Sequence, residues 1–434
     1  MYESAPVLRL WDTAAHDGPD LMFSTLASYL QIAPWPLVPG AIFWAALLMV
    51  GGALLGEAVN RRFGVPRIVG YSAVGMLIAL AGHGVARGRL DGLLGLIVDL
   101  ALALLLFELG SRVRLRWLRT NPALLLTSAA ESLLGFGAVV AVLRLLDVEL
   151  NIALACAVMT VSASGAVIGR VATELGAAGQ VTERMIVLTA LNTLYAVLAN
   201  KLIIGWIHLD VAGNWGQGIA QPLYTFCGSA LIAAALAKVV ATVMRKLDLR
   251  NENSVLLLLG LVALAVTCAR LLNLSALLVP LMAGVILRNT TERPWAWPRH
   301  FGTAGGVLVL MLFVIVGSAW SIEGVAAGVL LACALLLARA LAKTVAIVGL
   351  ARWSGIEMRQ GLALGLTMMP ISGTTLALFA DLHRTHPAFA DNLAPIILTA
   401  IALMELIGPI LVQRALRIAG EQQPGTVRDG GVQR

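Results

Sequence analysis

Apolar stretches of about 20 residues recur along this chain from Leu37 to Leu416, and that feature limits what it can become. A run of that length, wound as a helix rising about 1.5 Å per residue, spans roughly the 30 Å of bilayer hydrocarbon. Inside hydrocarbon every backbone amide needs an internal partner, which leaves helices or closed barrels. Barrel strands are short and alternate in polarity; these runs do neither. Apolar residues make up 59% of the 434 and charged residues only 13%, against roughly 25% charged in soluble domains. The expected fold class is therefore an all-α polytopic membrane protein.

About thirteen transmembrane helices are expected, at 39–59, 66–84, 91–111, 121–145, 150–174, 181–207, 219–244, 252–272, 274–289, 302–320, 323–352, 359–382 and 391–418. The ninth is the shortest. The preceding segment, 1–38, lacks the basic start and small-residue cleavage site of a signal peptide, and Leu21–Ile32 could lie as an amphipathic helix on the surface. The tail, 419–434, is short, polar and without a glycine-rich nucleotide site, so no cofactor is expected.

The net charge of +7 reads as a topology signal, not as a footprint for nucleic acid. Loops following odd-numbered spans, with the C-terminus, carry 21 of the 31 Lys and Arg residues; the opposite side carries 7. Because cytoplasmic loops accumulate Lys and Arg, the N-terminus is expected outside and the C-terminus in the cytoplasm. Trp35, Trp117, Trp206, Trp320 and Trp353 fall at span ends, as interfacial anchors do. The arginine-rich, lysine-poor usage suits a GC-rich bacterial genome, so the expected location is a bacterial inner membrane. Cys156, Cys227, Cys268 and Cys333 all lie in apolar runs with no CxxC pair. They read as small packing residues.

Two spans are interrupted by polar residues at their centres. The fifth contains TVSASG (160–165) and the twelfth TMMPISGTT (367–375). Serine, threonine, glycine and proline weaken a helix and can line a cavity with freed backbone groups. Two such breaks, each in the middle of a three-helix set, point to inverted repeats with two discontinuous crossing helices, a transporter signature. Ionisable residues at membrane depth are costly and so are functional candidates. Glu131, Asn192, Lys343 and Glu405 each lie 8 or 9 residues from the cytoplasmic end of their spans, about 13 Å in. Arg339 is four residues from Lys343 and shares its helix face. Either cation could pair with Glu131 or Glu405. Glu57, Asp99, Glu108 and Lys238, nearer span ends or in other helices, read as structural or interfacial. No metal site and no serine–histidine–carboxylate set stands out, so the chain reads as a transporter and not an enzyme.

Five stretches, in order, resemble the monovalent cation:proton antiporter superfamily over about residues 40–415. FGVPRIVGYSAVGMLIA (63–79) is similar to its second helix and LLLFELGSRVRLRWLR (104–119) to its third helix and basic loop. TVSASGAVIGRVATELG (160–176) and ALGLTMMPISGTTLAL (363–378) resemble its two crossing helices. LTALNTLYAVL (188–198) falls where the family carries its transport motif. The resemblance implies a membrane domain over 39–418. Its scaffold would be spans 39–111 and 252–320, its mobile core spans 121–207 and 323–418, and its linker span 219–244. It further implies a homodimer that exchanges Na+ or K+ for H+ by alternating access.

The sixth helix departs from the family. Its usual Asp-Asp, Asn-Asp or Gln-Asp pair is Asn192-Thr193 here, and the first crossing helix has no proline near Ala163. A threonine hydroxyl can coordinate a cation but does not release a proton near neutral pH. Three readings follow: another carboxylate takes over, the protein is a proton-uncoupled uniporter, or it is a non-transporting sensor or scaffold. On the first, Asn192, Thr193, Thr160, Ser162 and Ser164 would bind the cation, and Glu405 or Glu131 would carry the proton. Lys343 or Arg339 would balance charge, and Pro370, Ser372, Gly373, Thr374 and Thr375 would form the second crossing helix.

Overall fold

The computed structural model describes residues 41–81, 92–212, 215–246, 252–291 and 301–422. The expected N-terminal segment 1–38, with its amphipathic stretch, and the tail beyond residue 422 lie outside the described residues. The chain separates into Met1–Leu47, of which only the first turns of one helix are described, and Leu48–Arg434, which contains every site discussed below.

The described residues form helices and no strand. In chain order they are α1 (Ala41–Phe63), α2 (Arg67–Leu80), α3 (Gly92–Arg112), the short α4 (Leu115–Thr120), α5 (Pro122–Leu145), α6 (Leu150–Val161), α7 (Gly165–Glu174) and α8 (Gln180–Ala212). There follow α9 (Trp215–Lys246), α10 (Glu252–Leu271), α11 (Leu278–Thr290), α12 (Phe301–Gly317), α13 (Ile322–Leu350), α14 (Met358–Thr367), α15 (Gly373–Thr385) and α16 (Pro387–Ala419). Each expected span coincides with a helix or a pair of half-helices. Six, counting α6 and α7 as one, are long and apolar enough to cross a membrane. The ninth span starts later than expected, because the chain turns at residues 272–277 before α11.

Both expected breaks are present, and local chemistry explains each. α6 ends because Ser162 turns extended (φ −60°, ψ 142°). α7 restarts with Ser164 as its N-cap, the hydroxyl accepting from the Val167 N–H at 3.3 Å. α14 opens with a capping box between Glu357 and Gln360 and stops short of Pro370, which has no N–H to donate. α15 restarts after Ser372. The breaks meet where the Ser164 N–H donates to the Pro370 carbonyl at 2.8 Å.

Helix pairing is matched between the two halves. α2 packs on α12 as α3 packs on α11, α6 packs on α5 and α8 as α14 packs on α13 and α16, and α5 and α13 pair with each other. That is the pattern two inverted repeats produce. The α2–α12 crossing is backbone-close. A Cβ added at Gly75 would stand 2.1 Å from the Val314 oxygen, and one at Gly317 2.5 Å from the Ser72 oxygen. Polarity is turned inwards along α5 and α13. Leu133, Leu134, Leu330, Leu337 and Leu341 are exposed, while Glu131, Ser132, Arg339 and Lys343 are buried. In water that arrangement would be costly; against hydrocarbon it is the favourable one.

Candidate functional site

A helix end leaves carbonyls without partners, and two helix ends meet at the crossing. Arg339, reaching in from α13 and almost wholly buried, satisfies both. Its Nε donates to the Thr160 oxygen at 2.6 Å and its Nη2 to the Ser162 oxygen at 3.0 Å. Nη1 and Nη2 also donate to the Met369 and Met368 oxygens, at 2.7 and 2.9 Å. One turn on, the Lys343 Nζ donates to the Val161 oxygen at 2.9 Å. Two cations thus sit at the negative ends of two half-helices. The planar guanidinium, with five fixed donors, suits four carbonyls on two segments.

Of the two glutamates open to these cations, Glu131 takes Lys343. Oε2 of Glu131 lies 2.7 Å from Nζ, with both side chains fully buried. Gly135, one turn along α5, leaves room for the lysine stem, since a Cβ there would stand 3.2 Å from the Lys343 Cγ. Oε1 of Glu131 has no hydrogen-bond partner. Glu405 is equally buried, yet no cation pairs with it among the described residues. It accepts from Ser72 of α2 at 2.7 Å through Oε2 and from Ser372 through Oε1.

Asn192 is buried beside α5, where Ser132 donates to its Oδ1 at 3.0 Å. The Nδ2 is left without a partner. Ser132 directly follows Glu131, so the amide and the carboxylate are reached from adjacent positions of one helix. The expected hydroxyl ligands do not converge on Asn192. Thr193 donates to the Thr189 carbonyl of its own helix at 2.9 Å. Thr160 donates back to the Cys156 and Ala157 carbonyls. Ser164 is occupied as a cap. Ser162 and Thr375 meet at 3.2 Å, and both reach the Met159 carbonyl. Across the break, Thr374 is buried with an unpartnered hydroxyl. Pro370 sits against Gly408 of α16, and Gly373 against Leu102 and Leu312.

Sequence reasoning missed Ser72 and Ser132. Both were within sight. Ser72 is the lone serine of the 63–79 stretch, and Ser132 is the neighbour of Glu131. It also missed Glu421, whose carboxylate accepts from the Val181 and Thr182 N–H groups and the Thr182 hydroxyl, each at 2.7 Å. A residue just past α16 thereby caps α8, and nothing in its local sequence announces that.

Two cavities are lined by charged residues away from the two breaks. One, of about 520 Å³, is lined by Asp99, Lys201, Arg270, Asp381 and Arg384 among others. Its charges are paired: Lys201 with Asp381 at 2.7 Å, Arg384 with Asp381 at 3.1 Å, and Arg270 with Asp99. The other, of about 260 Å³, lies among Asn60, Arg67, Arg170, Glu174, Gln413 and Arg417.

Against known proteins, residues 47–418 match the profile of the transmembrane sodium/hydrogen exchanger family. The fold is similar to two structures of the sodium proton antiporter MjNhaP1 from Methanocaldococcus jannaschii. One, at pH 8, has a TM-score of 0.67 at 15% identity and covers 88% of this chain and 98% of that one. The other, an electron-microscopy map, has a TM-score of 0.70 at 15% identity and covers 89% and 99%. No curated protein matches by sequence. With most of its length inside the profile, the chain belongs to the sodium/hydrogen exchanger family, a family of membrane transporters and not of enzymes.

Proposed function

We propose that the protein is a secondary active transporter exchanging a monovalent cation, Na+ or K+, for protons by alternating access, with Glu131 as the exchanging carboxylate. The observation that carries this is the buried Glu131–Lys343 pair beside Asn192. One negative charge faces one positive charge in a fully buried site, and the glutamate Oε1 and the Asn192 Nδ2 are without hydrogen-bond partners. A cation arriving at Glu131 competes with the ammonium for the same charge. When it displaces Lys343, the lysine keeps its bond to the Val161 carbonyl. A cation bound to Glu131 takes over the ammonium's role as counterion, so the ammonium gives up a proton as the cation enters and the amine takes one up as the cation leaves. The Asn192 carbonyl oxygen adds a neutral ligand. Thr160, Ser162, Ser164 and Thr193, each already bonded to backbone or to a neighbouring side chain, would join only after the crossing rearranges.

On this reading residues 121–207 and 323–418 are the mobile core, 39–111 and 252–320 the scaffold, and 219–244 the linker. The chain would work as a homodimer in a bacterial inner membrane with its C-terminus in the cytoplasm. The larger cavity, between core residues Lys201 and Asp381 and scaffold residues Asp99 and Arg270, would then open outside.

The test uses purified protein in liposomes with an acidic lumen and a luminal pH dye. Adding Na+, K+ or Li+ should alkalinise the lumen for at least one cation, and Glu131→Gln should abolish the response. Exchange that survives Glu131→Gln sinks the assignment. A second reading, a proton-uncoupled uniporter, is favoured by Thr193, which leaves the sixth helix without a carboxylate. It predicts voltage-driven cation flux with no response of the pH dye.

A further inference from the structure

Among the described residues, Glu405 is the one fully buried carboxylate that Lys343 and Arg339 do not serve. A buried ion without a countercharge costs several kcal/mol unless donors surround it. Here the donors are two serine hydroxyls on different parts of the fold, Ser372 at the start of α15 and Ser72 on α2. Ser72 cannot follow a moving core, because α2 is locked to α12 at backbone contact through Gly75 and Gly317. The Ser72–Glu405 bond is therefore a tie between α2 and α16 at buried depth.

No other charge shares this tie. Of the elements packed on α16, α13 offers Arg339 and Lys343, already bound to the crossing carbonyls and Glu131. α2 offers Arg67 and Tyr71, and α7 offers Arg170 and Glu174. Arg67, Arg170 and Glu174 line the smaller cavity, and Tyr71 packs on Gly56. From α15, Asp381 and Arg384 line the larger cavity, and His383 faces Asp391 of α16. From α14 comes only the exposed Arg359. α8 brings Lys201, paired with Asp381, and Arg184, bonded to Ser354. α6 contributes Cys156, and α12 nothing ionisable.

Other ties join the same surfaces nearer water. Two turns beyond Glu405, Gln413 donates to the Gly64 carbonyl at 2.8 Å, and Glu174 accepts from the Asn60 Nδ2 at 3.2 Å and the Arg67 N–H at 3.3 Å. When those part, water replaces the partner. Nothing replaces Ser72 at the fully buried Glu405. We propose that Glu405 is a proton-binding site separate from the Glu131–Lys343 pair, and that α16 separates from α2 only when this carboxyl is protonated. Ionised, Glu405 needs both serines and holds α16 against α2. Once it takes a proton from water the charge is gone, Ser72 becomes dispensable, and the core is released. The inference rests on the reading that the core moves against the scaffold.

Two measurements on the full-length protein test it without relying on transport. In pH-difference infrared spectra, a protonated-carboxyl C=O band should vanish in Glu405→Gln, appear at higher pH with unchanged frequency in Ser72→Ala, and stay in Glu131→Gln. Hydrogen–deuterium exchange of residues 60–75, corrected for intrinsic rate, should rise about tenfold on acidification, the worth of one charge-assisted hydrogen bond. In Glu405→Gln it should be high at every pH. A band and a pH response that both survive Glu405→Gln overturn the proposal. Absence of cation-driven proton flux with both signals intact sinks the exchange reading and leaves Glu405 standing.

Discussion

Two glutamates lie fully buried among the described residues, and the difference between their surroundings separates two kinds of work. Glu131 has a formal partner, the Lys343 ammonium at 2.7 Å. Glu405 has only hydroxyls, Ser72 and Ser372. An ion pair is neutral overall and can exchange one cation for another in place. A lone carboxylate can become neutral only by taking a proton. The first arrangement fits competition between ions, the second a proton-dependent contact. Both depend on the crossing, because Lys343 bonds one broken helix and Ser372 starts the other.

The largest expected effect therefore falls on Arg339, which serves both sides of the crossing. Arg339→Ala would strand four buried carbonyls at two helix ends. Each unsatisfied group costs about 1–3 kcal/mol, so folded, monodisperse protein should be largely lost in detergent. Arg339→Lys should recover only part, because an ammonium has three donors and no planar fork. If Arg339→Ala has an unchanged melting temperature, the crossing does not depend on those bonds.

Next in size is the comparison itself. Lys343→Met leaves Glu131 as an uncompensated buried charge, a loss of about 3–5 kcal/mol. Adding Glu131→Gln should recover most of it, since removing both charges removes the penalty. Glu405→Gln strands no cation and keeps a group that both serines can reach, so its cost should stay near about 1 kcal/mol. Melting temperatures of the two single variants and the double variant would measure the contrast. Equal losses for Lys343→Met and for the double variant would mean that the pair is not coupled, and the distinction drawn here would fail.

Much of this was legible in the sequence, for reasons that also explain what was not. Helix positions follow from apolar length, and the breaks follow from TVSASG and TMMPISGTT, because Ser, Gly and Pro act on the backbone within a turn of themselves. Arg339 and Lys343 stood out because a charge in an apolar run is rare. Which glutamate takes which lysine was not legible. Four spans brought polar groups to a similar depth, and depth says nothing of azimuth; the choice between Glu131 and Glu405 rests on how α5 and α16 pack around α13. The hydroxyl ligands expected beside Asn192 failed to converge because each found a nearer acceptor on its own helix or its neighbour. Thr193 bonding back to Thr189 is one case, a competition that propensity cannot rank. Ser72 escaped notice because a serine costs little anywhere and its importance comes from a residue 333 positions away.

The smallest expected effect tests the open side of the Glu131 site. Ser132 orients Asn192 by donating to its Oδ1, which holds that oxygen against α5 with its second lone pair free for the cation and leaves Nδ2 without a partner. Ser132→Ala frees that oxygen and lets the amide rotate. The loss of one neutral hydrogen bond is worth about 0.5–1.5 kcal/mol, so the apparent cation affinity should weaken by about 2- to 10-fold. The maximal exchange rate should change little, since neither Glu131 nor Lys343 is touched. Dye-reported exchange across a cation titration separates the two parameters. An unchanged affinity would place the cation on Glu131 alone and remove Asn192 from the site. A collapse of the maximal rate would mean that the serine acts through the glutamate beside it, so that the ion pair and the amide work as one unit.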